Sequence, residues 1–119
     1  MEKPIREIYA FKDYFEEFNA TLPLNVQRKI EFIFDIIRFT QRVPEKFLKH
    51  IEGSKGLYEI RIEVGSNIFR IFSFFDEGKL VVVLNGFQKK SQKTPKNEIK
   101  LAEDLMKEYF EIKRLKNGK

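Results

Sequence analysis

The chain has 119 residues, of which 42% are hydrophobic, and it carries a formal net charge of +5 at pH 7. This length fits one domain with its own core, and so apolar a composition is not that of a disordered chain. The absence of cysteine excludes disulfide bridges, thiolate zinc sites and a cysteine nucleophile. The first residues are too charged for a secretory signal and no apolar run reaches membrane-spanning length, so we expect a cytoplasmic protein without a membrane segment.

The first half of the sequence predicts one strand and two helices. Residues 5–9 form the candidate strand, and apolar residues at three- and four-residue spacing over 11–22 indicate an amphipathic helix. A second helix is predicted over 24–41 with two adjacent apolar stripes, so we expect it to contact both the sheet and the first helix. These stripes are Val26, Ile30, Ile33 and Ile37, and beside them Phe32, Ile36 and Phe39. Residues 44–51 predict a single helical turn closed by Gly53.

The segment 57–94 predicts three consecutive antiparallel strands that lead into a lysine cluster. Gly65-Ser66 is the first candidate two-residue turn, because glycine accepts a positive φ between β-branched and aromatic runs. This turn places Arg61 opposite Arg70. Alternation along the strands then assigns two faces. One face carries Tyr58, Ile60, Ile62, Phe69 and Ile71, and the other carries Glu59, Arg61, Arg70 and Phe72.

The second candidate turn, Glu77-Gly78, extends the arginine face onto the third strand. It pairs Phe72 with Val83 and Arg70 with Asn85. A third strand that continues without a bulge adds three residues to that face, namely Asn85, Phe87 and Lys89. A one-residue slip in register would reverse every one of these assignments.

The predicted opposition of Arg61 and Arg70 is the main functional signal. Like charges directly opposite each other destabilise a sheet, so a sequence shaped only for stability would avoid this pair. A basic face with aromatic neighbours suits phosphate groups and stacked bases. The alternative is that Glu59 neutralises one arginine and the face is merely solvated.

Positive charge is concentrated after the strands. Residues 86–100 contain five lysines and one glutamate, and residues 113–119 contain four basic residues and no acid. Such a local excess is expected where one region of a protein meets a polyanion. Four lysines of the first segment are candidates for contact with RNA: Lys89, Lys90, Lys93 and Lys96.

A C-terminal helix completes the predicted order β-α-α-β-β-β-α. Thr94 is the candidate cap, Pro95 the first helical residue and Glu98 an acidic residue of the first turn. The helix is predicted to reach Leu115. Its buried stripe is expected to contain Ile99, Ala102, Met106, Tyr109 and Phe110.

The residue types leave arginine and lysine as the chemically active groups. His50 is the only histidine and we expect it at the surface near the end of a short helix, so no transition-metal site and no cofactor are predicted. Arg61 and Arg70 can neutralise charge on a phosphorane-like transition state while a ribose 2′-OH attacks the adjacent phosphorus. Lys89, Lys90 or Lys93 is expected to act as general base or acid, since lysines crowded by other cations lose their protons more readily.

Two further residues of the arginine face have alternative roles. Glu59 is expected to orient Arg61, and is a weaker candidate for the general base. Phe87 is a candidate for stacking on a base, although an aromatic residue on a sheet more often belongs to the core.

Three motifs resemble the RelE/ParE toxin superfamily, in particular its HigB-like, phage-derived branch. They are LYEIR at 57–61, NIFR at 67–70, and GFQKKSQKTP at 86–95 followed by Glu98, Ile99 and Ala102. The third motif is the most specific of them, and the two early helices also fit the family. The similarity covers nearly the whole chain.

The resemblance implies an α+β fold of a single domain over residues 1–119. A small curved antiparallel sheet would pack on two N-terminal helices, with a C-terminal helix. It implies a toxin that cuts messenger RNA, often in the ribosomal decoding site, and an antitoxin that is frequently a helix-turn-helix protein. Matched by position, the phosphate-binding and catalytic set would be Arg61, Arg70, Lys89, Lys90 and Lys93.

The chain departs from the family in one respect. Many of these nucleases carry a histidine or tyrosine near the end of the chain as an acid or base. Here no histidine follows His50, and Tyr109 falls on the predicted buried stripe. Two alternatives to the nuclease remain open, a gyrase inhibitor of the ParE type and a basic RNA-binding module without catalysis.

Overall fold

Five strands and three helices make up the structure, a computed structural model that describes residues 2–118. The elements are β1 (Glu7–Ala10), α1 (Tyr14–Ala20), α2 (Leu24–Phe39), β2 (Leu48–His50), β3 (Tyr58–Val64), β4 (Asn67–Asp76), β5 (Leu80–Lys89) and α3 (Lys96–Asn117). The strands form one sheet in the order β1-β5-β4-β3-β2. β1 is parallel to β5, whereas the other three pairs are antiparallel. The predicted α+β class is confirmed, and the sheet contains one strand more than expected.

Helices cover both faces of the sheet. α1 and α2 pack on the face that carries Ile60, Ile62 and Ile71, while α3 packs on the opposite face. The first predicted stripe of α2 is confirmed, since all four of its residues are buried. The second stripe is wrong, because Phe32 and Phe39 are 55% and 41% exposed. The predicted contact of α2 with the first helix does form, but Phe34 makes it: its buried ring lies 5.4 Å from that of Phe15 on α1.

None of the helices within residues 2–118 combines the length and the apolar character that a bilayer crossing requires.

The additional strand lies where a helical turn was predicted. The amides of Phe47 and Leu48 donate to the carbonyl of Pro44 at 3.0 and 3.2 Å, so a turn does form. It ends at once, and β2 pairs with β3 along the edge of the sheet. Pairing satisfies backbone groups that β3 would otherwise leave open. His50 therefore lies on an exposed edge strand, with its ring 5.2 Å from that of Tyr58, and not at a helix end.

The first hairpin has the predicted register. Val64 pairs with Asn67, and Arg61 lies directly opposite Arg70. Gly65 has a φ of 61°, the left-handed conformation that the tight turn requires. The two predicted faces of β3 and β4 follow from this register.

The second hairpin differs from its predicted register. Asp76 pairs with Leu80, so the loop has three residues and not two. Ser73 consequently lies opposite Val83, where Phe72 was expected. Three-residue hairpin loops with a left-handed residue are the common alternative to two-residue turns, and the sequence did not distinguish them.

A β-bulge then shifts the register once more. Ser73 pairs with Val83 but Ile71 pairs with Gly86, so two residues of β5 lie opposite Phe72. Arg70 is therefore opposite Phe87, where Asn85 was expected, and the assumption of an unbulged strand was wrong. Two one-residue shifts restore the original parity, so Phe87 falls on the arginine face as predicted.

The bulge brings β5 very close to α1. A Cβ atom on Gly86 would lie 2.5 Å from Cδ2 of Phe18 and 3.2 Å from the carbonyl oxygen of Arg70. Only glycine leaves room for the Phe18 ring at this point. The close approach packs α1 against β5, the strand next to the one that carries Arg70.

A polar cluster attaches the C-terminal half of α3 to the end of β4. The Tyr109 hydroxyl donates to Oδ2 of the buried Asp76 at 2.7 Å, and Lys113 Nζ donates to both carboxylate oxygens at 2.9 Å. Burial opposes ionisation of Asp76, but the hydrogen bonds from Lys113 and Tyr109 outweigh it and lower the pKa of that carboxyl. Burial, and then the hydrogen bond to Asp76, raise the pKa of Tyr109 to about 12.

Tyr109→Phe is expected to lower the free energy of unfolding at neutral pH by about 1 kcal/mol, because it removes a buried hydrogen bond. Tyrosine in an unfolded chain has a pKa of about 10. Since the folded pKa is higher, the contribution of Tyr109 is fully present below the unfolded value and is lost as the pH rises through about 12.

The measurement is urea unfolding of both proteins from neutral pH to beyond the folded pKa of Tyr109. The difference in free energy of unfolding between the parent and Tyr109→Phe should become smaller over the alkaline half of that pH range. Tyr14→Phe, at an exposed position on α1, is the matched control and should show no such narrowing. A difference between Tyr109→Phe and the parent that stays constant with pH would contradict the assignment.

Candidate functional site

Two arginines and one glutamate form a compact charged group on the α3 side of the sheet. Arg61 of β3 and Arg70 of β4 are directly opposite each other. Arg70 is only 3% exposed, whereas the side chain of Arg61 is 27% exposed. Glu59 lies two positions before Arg61, and its Oε1 is 3.6 Å from Nε of each arginine. One carboxylate is thus shared by two guanidinium groups.

This group retains an excess of positive charge. Burial, and next the charge of Arg61, lower the pKa of Arg70, while Glu59 acts in the opposite direction. Nε of Arg61 and Nε of Arg70 are both buried and have no hydrogen-bond acceptor among residues 2–118. Buried donors without acceptors are costly. Glu59 is the carboxylate nearest to both Nε atoms, and at 3.6 Å it compensates their charge without accepting a hydrogen bond from either.

Phe87 and Asn85 lie beneath the arginines and not on an open surface. Phe87 is buried, and its ring stacks on Phe72 with centroids 5.6 Å apart and an interplanar angle of 27°. Its position agrees with the alternative role in the core. Asn85 is also buried, and its Nδ2 donates to the backbone carbonyl and to Oε1 of Glu98 at 3.1 and 3.0 Å. Both residues hold α3 against the arginine-bearing strands.

The lysine segment returns to the arginine group through Thr94. Its hydroxyl donates to Oε2 of Glu59 at 3.4 Å. α3 begins at Lys96, and no side chain caps it. The prediction that Thr94 caps this helix was therefore wrong. The contact of Thr94 with Glu59 was not predicted, because the helix-start pattern already explained a threonine before proline.

The four candidate lysines lie at the end of β5, on the connection that follows it and at the start of α3. Lys89 is half-buried at the end of β5, where it pairs with Ile68 on the arginine face. Lys90, Lys93 and Lys96 are exposed on the connection to α3 and on its first turn. The expected open basic surface is thus only partly open, because Arg70 is buried while Lys90, Lys93 and Lys96 are exposed.

The remaining sequence candidates lie elsewhere. Tyr109 is bound to Asp76 at the opposite end of β4, and His50 is on the edge strand β2. Among residues 2–118, no three histidine, aspartate or glutamate side chains come together as a potential metal cage.

The family model described as "Phage derived protein Gp49-like (DUF891)" matches residues 16–107, which is well over half of the sequence. The chain belongs to this Gp49-like family. The matched span includes Glu59, both arginines and all four candidate lysines. No curated protein matches the sequence.

A solved structure of the same fold supports the wider assignment of this Gp49-like chain. It is a chain of the archaeal RelE–RelB complex from Pyrococcus horikoshii OT3, with a TM-score of 0.52 and 20% sequence identity. The similarity covers 76% of this chain and 99% of that chain. The family match confirms the predicted phage-derived branch, and the shared fold agrees with the predicted RelE/ParE superfamily.

Proposed function

We propose that this protein is the toxin of a type II toxin–antitoxin system and that it cleaves messenger RNA without a metal ion. The observation that carries the proposal is the Arg61–Glu59–Arg70 group. It combines two buried guanidinium donors without acceptors and one shared carboxylate 3.6 Å from each. Such donors, held by a rigid sheet, match the charge that develops on a phosphate during transfer.

In the proposed reaction the 2′-OH of one ribose attacks the adjacent phosphorus and the bond to the 5′-oxygen breaks. Arg61 and Arg70 bind the non-bridging oxygens, hold the phosphate in line with the nucleophile and neutralise the added negative charge. Glu59 orients both guanidinium groups by its central position. The products are a 2′,3′-cyclic phosphate and a free 5′-hydroxyl.

The candidate lysines supply the proton transfers in this proposal. A proton leaves the attacking 2′-OH and another must reach the departing 5′-oxygen. Lys89 ends β5 on the arginine face, and Lys93 immediately precedes Thr94, whose hydroxyl contacts Glu59. Lys90 and Lys96 are exposed beside them and would bind neighbouring phosphates.

The proposed partners are translating ribosomes and an antitoxin. The solved relative is a chain of a RelE–RelB complex, and by that likeness we propose a cognate antitoxin for this chain, of the helix-turn-helix type that the resemblance to the HigB-like branch implies. We propose that the protein acts in the cytoplasm, where messenger RNA is translated.

The test uses purified protein, translating ribosomes and a defined message. New ends should appear in the bound message with a 5′-hydroxyl on one fragment and a cyclic phosphate on the other. The matched control is the same message with a 2′-deoxynucleotide at the cut site. It lacks only the nucleophile, so it should resist cleavage at that position.

Three results would contradict the proposal. Equal cleavage of the deoxy-substituted message would exclude attack by the 2′-OH, and 5′-phosphate ends would indicate a different reaction. Inhibition of DNA gyrase in a supercoiling assay, without any new message ends, would instead favour the ParE-like alternative.

A further inference from the structure

A basic cavity, which we call the flanking groove, lies between α2, the loop before β2, and β3. Its volume is about 270 Å³. The groove is lined by Lys29, Ile33, Lys46, Phe47, Arg61 and Glu63. Arg61 therefore belongs both to this groove and to the arginine group, and it is the residue that the two sites share.

Local structure accounts for the position of each lysine. Ile33 is buried in the core between α2 and the sheet, and Lys29 precedes it by one helical turn on the same side of α2. The amide of Arg61 donates to the carbonyl of Phe47 at 2.8 Å, which fixes the loop that carries Lys46 beside β3. The core packing of α2 and the backbone pairing of β3 thus bring residues from three parts of the chain together.

The charges of the groove have no evident structural use. It contains three cations and one carboxylate, Glu63. Within the described part of the chain, neither Lys29 nor Lys46 forms an ion pair with a carboxylate. Their ammonium groups instead lie over aromatic rings, Lys29 at 5.6 Å from Phe32 and Lys46 at 5.0 Å from Phe47.

We propose that the flanking groove binds the backbone of the single-stranded RNA that continues from the cleaved bond. The inference rests on the proposed function, since it assigns the scissile phosphate to Arg61 and Arg70. From Arg61 the strand would pass over the edge of the sheet to Lys46 and Lys29. Cations beside aromatic rings are typical of sites for single-stranded nucleic acid, where phosphates pair with lysines and bases stack. Here Phe32 is exposed and Phe47 is half-buried.

An acidic peptide is the competing occupant, and the groove fits it less well. A peptide would use the lysines but not the exposed ring of Phe32, which suits a base. Arg61, which the groove shares with the arginine group, also favours one ligand that spans both sites. RNA meets this condition, because its phosphates repeat along one chain.

The experiment compares Lys29→Gln/Lys46→Gln with Lys79→Gln/Lys107→Gln, a control with the same loss of charge. Lys79 is in the β4–β5 loop and Lys107 is exposed on α3, so neither lies at the groove. Binding of a fluorescent single-stranded RNA is measured by anisotropy over a range of salt concentrations. A 2′-deoxynucleotide at the cut position keeps this RNA intact, so binding is measured independently of cleavage.

The groove variant should show a salt dependence shallower by about 1.4 in the slope of log K against log salt, or about 0.7 for each lost phosphate contact. The parent protein and the control variant should share the steeper slope. Shortening the RNA to a dinucleotide around the scissile bond should abolish the difference between the two variants, because the flanking strand is then missing.

The groove inference is overturned if both double variants bind long RNA with the same affinity and salt slope. It is also overturned if loss of Lys29 and Lys46 leaves RNA binding unchanged but abolishes direct binding of fluorescent poly-glutamate, which would assign the groove to an acidic peptide. Failure of the proposed function looks different. If the chain binds RNA but is not a nuclease, the groove variant still loses RNA affinity, while the parent protein cuts no message on or off the ribosome.

Discussion

Arg70→Lys is expected to slow cleavage of ribosome-bound message by roughly 10²- to 10³-fold, the loss typical for removal of one preorganised donor to a transition state. Lysine keeps the positive charge but replaces the planar, bidentate guanidinium with a single point charge. Arg70 is almost fully buried, opposite Arg61 and beside Glu59, so solvent cannot replace the missing donors. The measurement is the single-turnover rate of message cleavage.

The matched control is Arg114→Lys. Arg114 is exposed on α3 and pairs with Glu111 on the preceding turn, away from the arginine group. It should cut at the parent rate. If circular dichroism shows that the Arg70→Lys variant is unfolded, Arg61→Lys provides the same test at a more exposed position. Cleavage within twofold of the parent in a folded variant of either arginine would rule out the proposed mechanism.

Phe72→Ala is expected to lower the free energy of unfolding by about 3–5 kcal/mol, the usual cost of truncating a buried aromatic residue. Phe72 is fully buried, stacks on Phe87 and lies in the cluster with Ala102 and Leu105 of α3. Its removal would leave a cavity between α3 and β4, two residues from Arg70 on the same strand. Urea unfolding at neutral pH measures the loss.

Phe32→Ala is the matched control for this change. Phe32 is more than half exposed on α2, so the same truncation should alter stability by no more than about 0.5 kcal/mol. A loss below about 1 kcal/mol for Phe72→Ala would mean that α3 is not packed on the sheet as described. The arginine group would then lack its rigid support.

The predictions that succeeded depend on short-range pattern. The register of the first hairpin followed from Gly65 between two alternating runs, and it correctly placed Arg61 opposite Arg70. The buried stripe of α2 followed from helical spacing. Both patterns repeat within a few residues, so local stereochemistry is sufficient to specify them.

The predictions that failed depend on choices that local pattern leaves open. Glu77 and Gly78 are compatible with a two- or a three-residue loop, and packing of β5 on both helical layers selects the longer one together with a bulge. Residues 48–50 have no strong strand signal and become β2 because β3 offers an unpaired edge. Phe32 was predicted to be buried because it belongs to an apolar stripe, but Phe34 makes the contact of α2 with α1.

The candidate site was predicted in part. The sequence showed the arginine pair through the register of the first hairpin, and it showed the lysine cluster as a local excess of positive charge. Three features were not: the equal distance of Glu59 from both arginines, the contact of Thr94 with that carboxylate, and the flanking groove with Lys29 and Lys46. Each joins segments far apart in the chain, and no sequence period links them.

By itself, the sequence determined the α+β class, the two faces of the first hairpin and the concentration of cations near its arginines. Only the tertiary structure decided that Arg70 and Phe87 are enclosed and that the basic face is a bounded site. Alternation along a strand depends on backbone geometry within each residue. Enclosure depends on where α3 packs, and that is set by hydrophobic contacts between elements distant in the chain.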